Sequence, residues 1–198
     1  TAERYRATFT RPLQNFYAAV FNRRIADEDF VRLETLFHAA YRRRMIQAAL
    51  DDGALAALTA WRDAGRSQSL LSLWSHDELV VRVRGLGVTS YFSRIDGRRG
   101  LGAAGIDSKA EPLRLHLVEL MRLGDDDISA AVAARDVVMI GDTLDDAAAA
   151  AASDIGCVLF AGGAHDIAEL AATGFPVTAT LAEAVGLVAE VAAGSRRK

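Results

Sequence analysis

The fold is decided by residues 137–146, which read VVMIGDTLDD. The first four residues form a short apolar run typical of a buried strand, and a helix is predicted directly after the acidic turn. Asp142, Asp145 and Asp146 repel one another unless they share a cation, and hard oxygen ligands of this kind suit Mg²⁺. A simpler interpretation makes Thr143 the N-cap of the helix, with two of the acids in a first turn that favours negative charge. Because that interpretation leaves Asp142 unexplained at the end of a strand, we predict metal or phosphate chemistry for Asp142.

Short apolar runs alternate with helical segments on both sides of this stretch. Such alternation favours an α/β fold, in which a Rossmann-like parallel sheet has helices on both faces. Ligands of an open parallel sheet collect beyond the carboxyl ends of its strands, where Asp142 would lie. The predicted strands are 69–74, 91–95, 137–140, 157–160 and 177–180, and the predicted helices are 51–64, 76–86, 109–123, 145–152, 166–172 and a last one ending near 193.

The first fifty residues show the spacing of amphipathic helices and no convincing β alternation. A second helix is predicted to begin near 27–29, where acids suit the helix dipole. We therefore expect a helical cap over residues 1–50 and an α/β core over residues 51–198, and the apolar cap suggests a homodimer surface. The side chains expected to turn inward are Leu13, Phe16, Tyr17, Val20 and Phe21 in the first helix and Phe30, Leu33, Leu36, Phe37, Ala40 and Tyr41 in the second.

A second charged turn lies at residues 107–111, which read DSKAE. Ser108, with a Glu three residues later, fits a capping box and puts Lys109 at the first helical position. A cation there opposes the helix dipole, at a cost of about 0.3–1 kcal/mol when it is exposed. An anionic partner would reverse that sign, and the candidates are Asp142, Asp146 or a bound phosphate. A surface lysine that merely tolerates the position is the alternative.

The third informative turn follows the predicted strand 69–74. Ser72 lies near the end of this strand, and Ser75 and His76 begin the next helix. A hydroxyl and free backbone N–H groups at such a turn can hold phosphate oxygens, which makes Ser72 a candidate phosphate ligand and His76 a candidate substrate contact. A plain N-cap role for Ser75 or His76 fits equally well. The other histidines are interpreted as packing, surface or structural residues: His38, His116 and His165.

Composition narrows the class of protein. The chain has 198 residues, 51% of them hydrophobic, so it can bury a core, and its net charge of -3 argues against a basic nucleic-acid-binding surface. The one cysteine, Cys157, excludes an internal disulfide framework and a Cys-rich zinc site. The apolar runs are too short to span a bilayer, and no charged-then-apolar leader is seen. We expect a soluble, cytoplasmic protein with a small-molecule substrate and with neither nucleic acid nor a membrane as partner.

Taken together, these residues resemble the haloacid dehalogenase (HAD) superfamily of phosphatases, especially its phosphoglycolate phosphatase-like branch. The turn 141–146 resembles the fourth motif of the family, Lys109 its third-motif lysine and Ser72 its second-motif hydroxyl. The resemblance implies Mg²⁺-dependent hydrolysis of small phosphorylated metabolites through an aspartyl-phosphate. It would make Asp142 a metal ligand and Asp146 a support for the metal shell or for Lys109. Lys109 would neutralise the nucleophile and the phosphoryl group, while Ser72 would bind a phosphate oxygen.

One departure from the family is severe. Its nucleophile follows an apolar strand, in an Asp-x-Asp motif with a small hydroxyl residue, and no such motif is present in the sequence. Residues 27–29 (DED) follow no apolar strand, and residues 125–127 (DDD) come straight after a glycine that we predict to end a helix, so we expect them in a solvated turn. The missing piece would also be the central strand, between the strands ending at Ser72 and Asp142. We therefore predict an N-terminally incomplete chain that is nearly inactive as written, unless the two flanking strands close up and pair directly.

Two other functions stay open. One is a non-catalytic HAD-like binding or interaction module that kept the scaffold and lost its nucleophile. The other is a phosphoacceptor, receiver-like domain, which also uses clustered acids and a lysine. The helical first fifty residues and the late position of the acidic turn speak against the receiver.

Overall fold

The structure is a computed structural model that describes residues 8, 10, 13–99, 108–122, 136–163 and 165–195. The chain divides into a helical unit, which extends to Ala49, and an α/β unit, which begins at Leu50. Within the described ranges, no helix has both the length and the apolar character needed to cross a membrane.

The helical unit contains α1 (Leu13–Phe21) and α2 (Asp27–Gln47). Phe16, Tyr17 and Ile25 form its buried core, with Phe30 and Leu33 packed against them. The predicted inward face of α2 is therefore correct over its first two turns.

Farther along α2 that prediction is wrong. Leu36 is 60% exposed, and Phe37 and Tyr41 are also exposed. The reason is length, because the nine residues of α1 span about 14 Å and the twenty-one of α2 about 31 Å. Helix α1 covers only the beginning of its partner, so the rest of the apolar face of α2 lies open among the described residues.

The α/β unit alternates strands and helices, which confirms the predicted fold class. One strand is displaced from its predicted place at 91–95, where Thr89–Tyr91 form a 3₁₀ turn and the strand begins at Arg94. Arg94 and Asp96 of this strand form an ion pair, and Ile95 between them is its one apolar residue. The sequence therefore shows no β alternation at this strand. The elements are α3 (Ala54–Asp63), β1 (Ser69–Ser75), α4 (His76–Gly85), β2 (Arg94–Arg98), α5 (Ala110–Arg122), β3 (Val138–Gly141), α6 (Leu144–Ala152), β4 (Gly156–Phe160), α7 (Ile167–Ala171), β5 (Val177–Thr178) and α8 (Leu181–Ser195).

All strand pairs are parallel, but they form two sheets. Strand β1 pairs with β2, while β4 lies between β3 and β5. No ladder joins β1 to β3 among the described strands, so the two flanking strands have not closed up. The sheets nevertheless share one core, because Leu71 of β1 packs in the same cluster as Met139 of β3.

Helices cover the sheets on both faces. Alternate residues of β3 point in opposite directions: Met139 packs toward α5 and α6, while Val138 and Ile140 pack toward α8. Helix α6 presents buried alanines to the sheet, and small side chains let its backbone lie close to β3 and β4. Helix α5 contacts β1, β2 and α6, and its Leu113 and Leu117 share a core cluster with Met139 of β3, so it packs against both sheets.

Candidate active site

The acidic turn connects β3 to α6 through a capped helix start. Thr143 is the N-cap: its hydroxyl oxygen accepts from the backbone N–H of Asp146 at 3.1 Å, and the Asp146 carboxylate accepts from the N–H of Thr143 at 3.0 Å. A side chain at Gly141 would place its Cβ 2.6 Å from the Asp146 Cγ, so this approach requires glycine. The N-cap interpretation of Thr143 is confirmed, and it leaves room for a second role of Asp146.

Lys109 reaches this turn from the start of α5. Its ammonium forms an ion pair with Asp146, whose side chain is 1% exposed against 17% for Lys109. Its backbone N–H donates to both carboxylate oxygens of Asp145, at 3.1 Å each. Asp146 thus neutralises the Lys109 ammonium, and the Asp145 carboxylate binds the backbone N–H at the start of α5. These two negative charges remove the unfavourable interaction with the helix dipole that the sequence predicted.

The capping box predicted at Ser108 is wrong, because the helix begins at Ala110, one residue later than expected. The Ser108 hydroxyl oxygen accepts from the Ala110 N–H at 3.1 Å. Glu111, which would complete the box, instead binds Arg114 through two hydrogen bonds of 2.7 Å. The Lys109 N–H instead donates to Asp145 of another helix, a contact that no local pattern could indicate.

Asp142 and Asp146 have opposite electrostatic environments. Burial would raise the pKa of Asp146, but the Lys109 ammonium and hydrogen bonds from Thr143 hold it below its ordinary value. The pKa of Asp142 is raised, first by burial and then by the negative charge of Asp146, and Lys109 and His165 offset this only in part. Asp142 is therefore a half-buried carboxylate whose counter-charge is incomplete, and such a group suits a cation.

Glycine backbone encloses Asp142 on one side. A Cβ at Gly163, in the loop after β4, would collide with the Asp142 carboxylate and lie 2.7 Å from its Cγ. In the same loop, His165 is 3.6 Å from Glu169. Gly163 was not among the predicted site residues, although the Gly162-Gly163 pair just beyond a strand end could have indicated it.

The residues fit a Mg²⁺ site only in part. Across the described residues, no three His, Cys, Asp or Glu side chains form a group that could hold a metal. Mg²⁺ is usually bound through one or two carboxylates and completes its shell with water and phosphate oxygens. Asp142 fits the role of one such carboxylate, because Asp145 and Asp146 are already engaged by Lys109.

The other two predicted site residues have different contacts. The Ser72 hydroxyl oxygen accepts from the Trp74 N–H at 3.1 Å. His76 accepts the Gly97 N–H at its Nδ1, 3.1 Å away, and its Nε2 is 3.0 Å from the Arg99 guanidinium.

Of the predicted site residues, Lys109, Asp142 and Asp146 therefore form one group, while Ser72 and His76 have other partners. Lys109 contacts Asp146, and Asp142 donates its backbone N–H to the Asp146 carboxylate at 3.1 Å. The hydrogen bonds of Ser72 and His76 go to residues outside this group. A surface hollow beside α3, lined by residues such as Thr59 and Asp63, includes none of the predicted site residues.

The acidic turn falls inside the region that matches a known family. Residues 111–184 match the HAD-hydrolase-like family. The matched residues make up less than half of the chain, so they mark a likeness to HAD hydrolases. The matched region includes Asp142 and Asp146, and Lys109 lies two residues before it begins. None of the curated proteins compared matches the chain.

Solved structures with the same fold have low sequence identity. A predicted phosphatase from Clostridium acetobutylicum is 19% identical with a TM-score of 0.69, over 90% of this chain and 77% of that one. Protein tyrosine kinase A from Mycobacterium tuberculosis is 23% identical with a TM-score of 0.67, over 91% and 78%. A candidate phosphoglycolate phosphatase from Lactobacillus delbrueckii is 18% identical with a TM-score of 0.54, over 70% of this chain and 52% of that one. The chain thus spans about half of the last protein, and the likeness confirms the predicted HAD fold.

Phosphatase and kinase both stand among the names of these neighbours. A shared fold does not fix an activity, so the activity of this HAD-like domain has to be argued from its site.

Proposed function

We propose that this HAD-like domain hydrolyses small phosphomonoesters with Mg²⁺, using an aspartate nucleophile supplied by a segment outside the present sequence. The observation that carries the proposal is the ion pair of Lys109 with Asp146 beside the incompletely neutralised Asp142. Phosphoryl transfer depends mainly on positioning and on stabilising charge, and these are the properties that the three residues offer.

Lys109 is the phosphate-binding group of the proposal. Its ammonium has three N–H donors, and the ion pair with Asp146 engages one carboxylate oxygen. The remaining donors are available to phosphoryl oxygens, while Asp146 fixes where the ammonium lies. Asp142 would hold Mg²⁺, and the bound ion would neutralise charge on the phosphoryl group.

Ser72 and His76 have supporting roles in the proposal. The Ser72 hydroxyl accepts from Trp74, which leaves its own O–H to donate to a phosphate oxygen. His76 lies beside the cationic Arg99, and the pair offers donors to an anionic substrate. Both roles require the phosphate to bridge β1 and the acidic turn.

The separation of the two sheets supports a nucleophile supplied from elsewhere. The edges of β1 and β3 that carry no partner strand present backbone N–H and C=O groups suited to pairing. A parallel strand between them would join both sheets and deliver its last residues to the edge where Asp142 lies. An aspartate following that strand would reach the position from which it could attack a phosphate held by Lys109.

The test compares the chain with and without an added upstream segment, an apolar strand followed by Asp-x-Asp and Thr. Hydrolysis of p-nitrophenyl phosphate is measured with and without Mg²⁺. We expect near-zero turnover from the chain alone and Mg²⁺-dependent turnover from the extended chain. In the extended chain, D142N and K109A should each lower turnover about a hundredfold or more, while D63N, at an exposed carboxylate, should not change it.

Two results would refute the proposal. Turnover that survives both D142N and K109A would show that these residues are not the site. An extended chain that binds inorganic phosphate but shows no turnover would favour the non-catalytic binding module instead.

A further inference from the structure

A chain of polar contacts surrounds His116, in the middle of α5. The His116 Nδ1 is 2.6 Å from the Asp96 carboxylate of β2, and its Nε2 is 2.8 Å from the Ser69 hydroxyl of β1. With a carboxylate on one side and a hydroxyl on the other, Nδ1–H donates to Asp96 and Nε2 accepts from Ser69. One side chain of α5 therefore binds both strands of the first sheet.

The charged groups around His116 are themselves paired. Arg94 binds Asp96 through two hydrogen bonds and lies 3.8 Å from Glu119, and Arg99 is 3.7 Å from Asp96. Burial is the main cause of a lowered His116 pKa, and Asp96 opposes it only in part, so the imidazole is neutral at neutral pH. The side chain of His116 is only 4% exposed, which leaves a substrate almost no imidazole surface to touch. Although a hydroxyl, an imidazole and a carboxylate in this order could form a nucleophile relay, its enclosure favours a positional role.

His116 and Lys109 each tie a part of α5 to its neighbours, His116 in the middle of the helix and Lys109 at its start. Lys109 directly precedes the first residue of α5, and His116 lies seven residues after it, about two turns and about 10 Å along the axis. Lys109 ties the start of α5 to α6 through Asp145 and Asp146, and His116 ties the next turns to β1 and β2. Because no ladder joins the two sheets, these contacts set the distance between them at α5.

We propose that His116 is a positioning residue for Lys109: by fixing α5 on β1 and β2, it sets where the Lys109 ammonium lies relative to Ser72. Ser72 is three residues beyond the Ser69 that His116 binds, in the same strand. The contacts of His116 thereby fix the distance between Lys109 on one side of the proposed phosphate site and Ser72 on the other. The relevance of that spacing to catalysis rests on the proposed function, but the effect on Lys109 does not.

The sequence allows a direct measurement, because it contains only two lysines, Lys109 and Lys198. Protein labelled with ¹³Cε-lysine therefore gives two side-chain signals, and K109A assigns them. We expect H116L to shift or broaden the Lys109 signal toward its position in D146N, which lacks the ion pair, while the Lys198 signal stays in place. The control is L115A, at a neighbouring exposed residue of α5, which should leave both signals unchanged.

Two further variants make the result specific to the network. H116N keeps a side-chain N–H that can reach Asp96, so the Lys109 signal should lie between those of wild type and H116L. S69A removes the other partner without touching α5, and it carries the test if H116L does not fold. Folded H116L and S69A proteins with an unchanged Lys109 signal would overturn the proposal.

The same samples separate this proposal from the proposed function. A Lys109 signal that responds to H116L in a protein that does not bind inorganic phosphate would uphold the positioning role and count against the phosphatase. If phosphate binding weakens in K109A but the Lys109 signal does not change in H116L, the result would support the phosphatase and count against the positioning role.

Discussion

Replacing Asp146 with Asn removes a charge from one of the most enclosed polar side chains described, at almost constant size. One oxygen of the carboxylate faces the Lys109 ammonium, and the other accepts from Asp142 N–H, Thr143 N–H and the Thr143 hydroxyl. An amide satisfies one of these two sides with its oxygen and turns its NH₂ group toward donors on the other. Breaking a buried ion pair by removing one partner costs about 3–5 kcal/mol. Lys109 retains 17% exposure and can reach water, so we expect the lower end, about 3 kcal/mol, for D146N.

A double-mutant cycle with K109M tests this reasoning. K109M leaves Asp146 on the donors of a helix N-terminus, so its cost should be smaller, about 1–2 kcal/mol. The double variant K109M/D146N leaves no unpaired charge. Its loss of unfolding free energy should therefore be about 2 kcal/mol smaller than the sum of the losses of the two single variants. The assay is urea unfolding at pH 7, followed by circular dichroism. A loss below about 1 kcal/mol for D146N, or losses that simply add, would refute the reasoning.

The pH dependence of D146N has a defined sign. The pKa of Asp146 is held below its ordinary value, so its contribution to stability is present above the ordinary carboxyl range and is lost as the pH falls through the folded-state pKa. The difference between wild type and D146N should therefore shrink in acid. A difference that grew in acid would contradict the assignment of the ion pair.

Three further predictions concern the same α/β unit. Because the Asp142 pKa is raised, D142N should stabilise the metal-free protein at pH 7 by about 1 kcal/mol, and this gain should disappear as the pH falls through that pKa; destabilisation in thermal melts at pH 7 would contradict it. G163A places a methyl group against the Asp142 carboxylate and should cost about 1–3 kcal/mol, whereas G186A, with open space in α8, should gain about 0.5–1 kcal/mol, both measured by urea unfolding. The Cys157 thiol is fully buried with its pKa raised to about 12, so a disulfide reagent at pH 8 should label it only at the rate of unfolding; rapid labelling of the native protein would be inconsistent with this core.

The sequence predicted best what local rules decide. The strand, turn and helix of residues 137–146 follow from an apolar run, an N-cap threonine and acids in a first helical turn, and each is found in place. The Lys109 prediction had a physical basis of the same kind, since a cation at a helix start needs an anion. One of the carboxylates predicted as its partner, Asp146, is the one that binds it.

Contacts between distant segments could not be predicted. Asp145 binds the Lys109 backbone from thirty-six residues away, and the fit of Gly163 against Asp142 depends on where one loop crosses another. His116 was interpreted as packing or surface, because its partners Ser69 and Asp96 lie on strands distant in sequence. In each case a single residue type is ambiguous until the topology brings its partner near.

The interrupted ladder between β1 and β3 bears on how cooperatively the domain opens. Backbone hydrogen bonds transmit order along a continuous sheet, and here that transmission stops at two edges. Amide protons of β1 and β2 are thus free to exchange with solvent through an opening event distinct from the one that exposes β3 and β4. The side chains of α5 couple the two opening events. A substitution on that helix should therefore change the difference between the exchange rates of the β1 and β2 amides and those of the β3 and β4 amides.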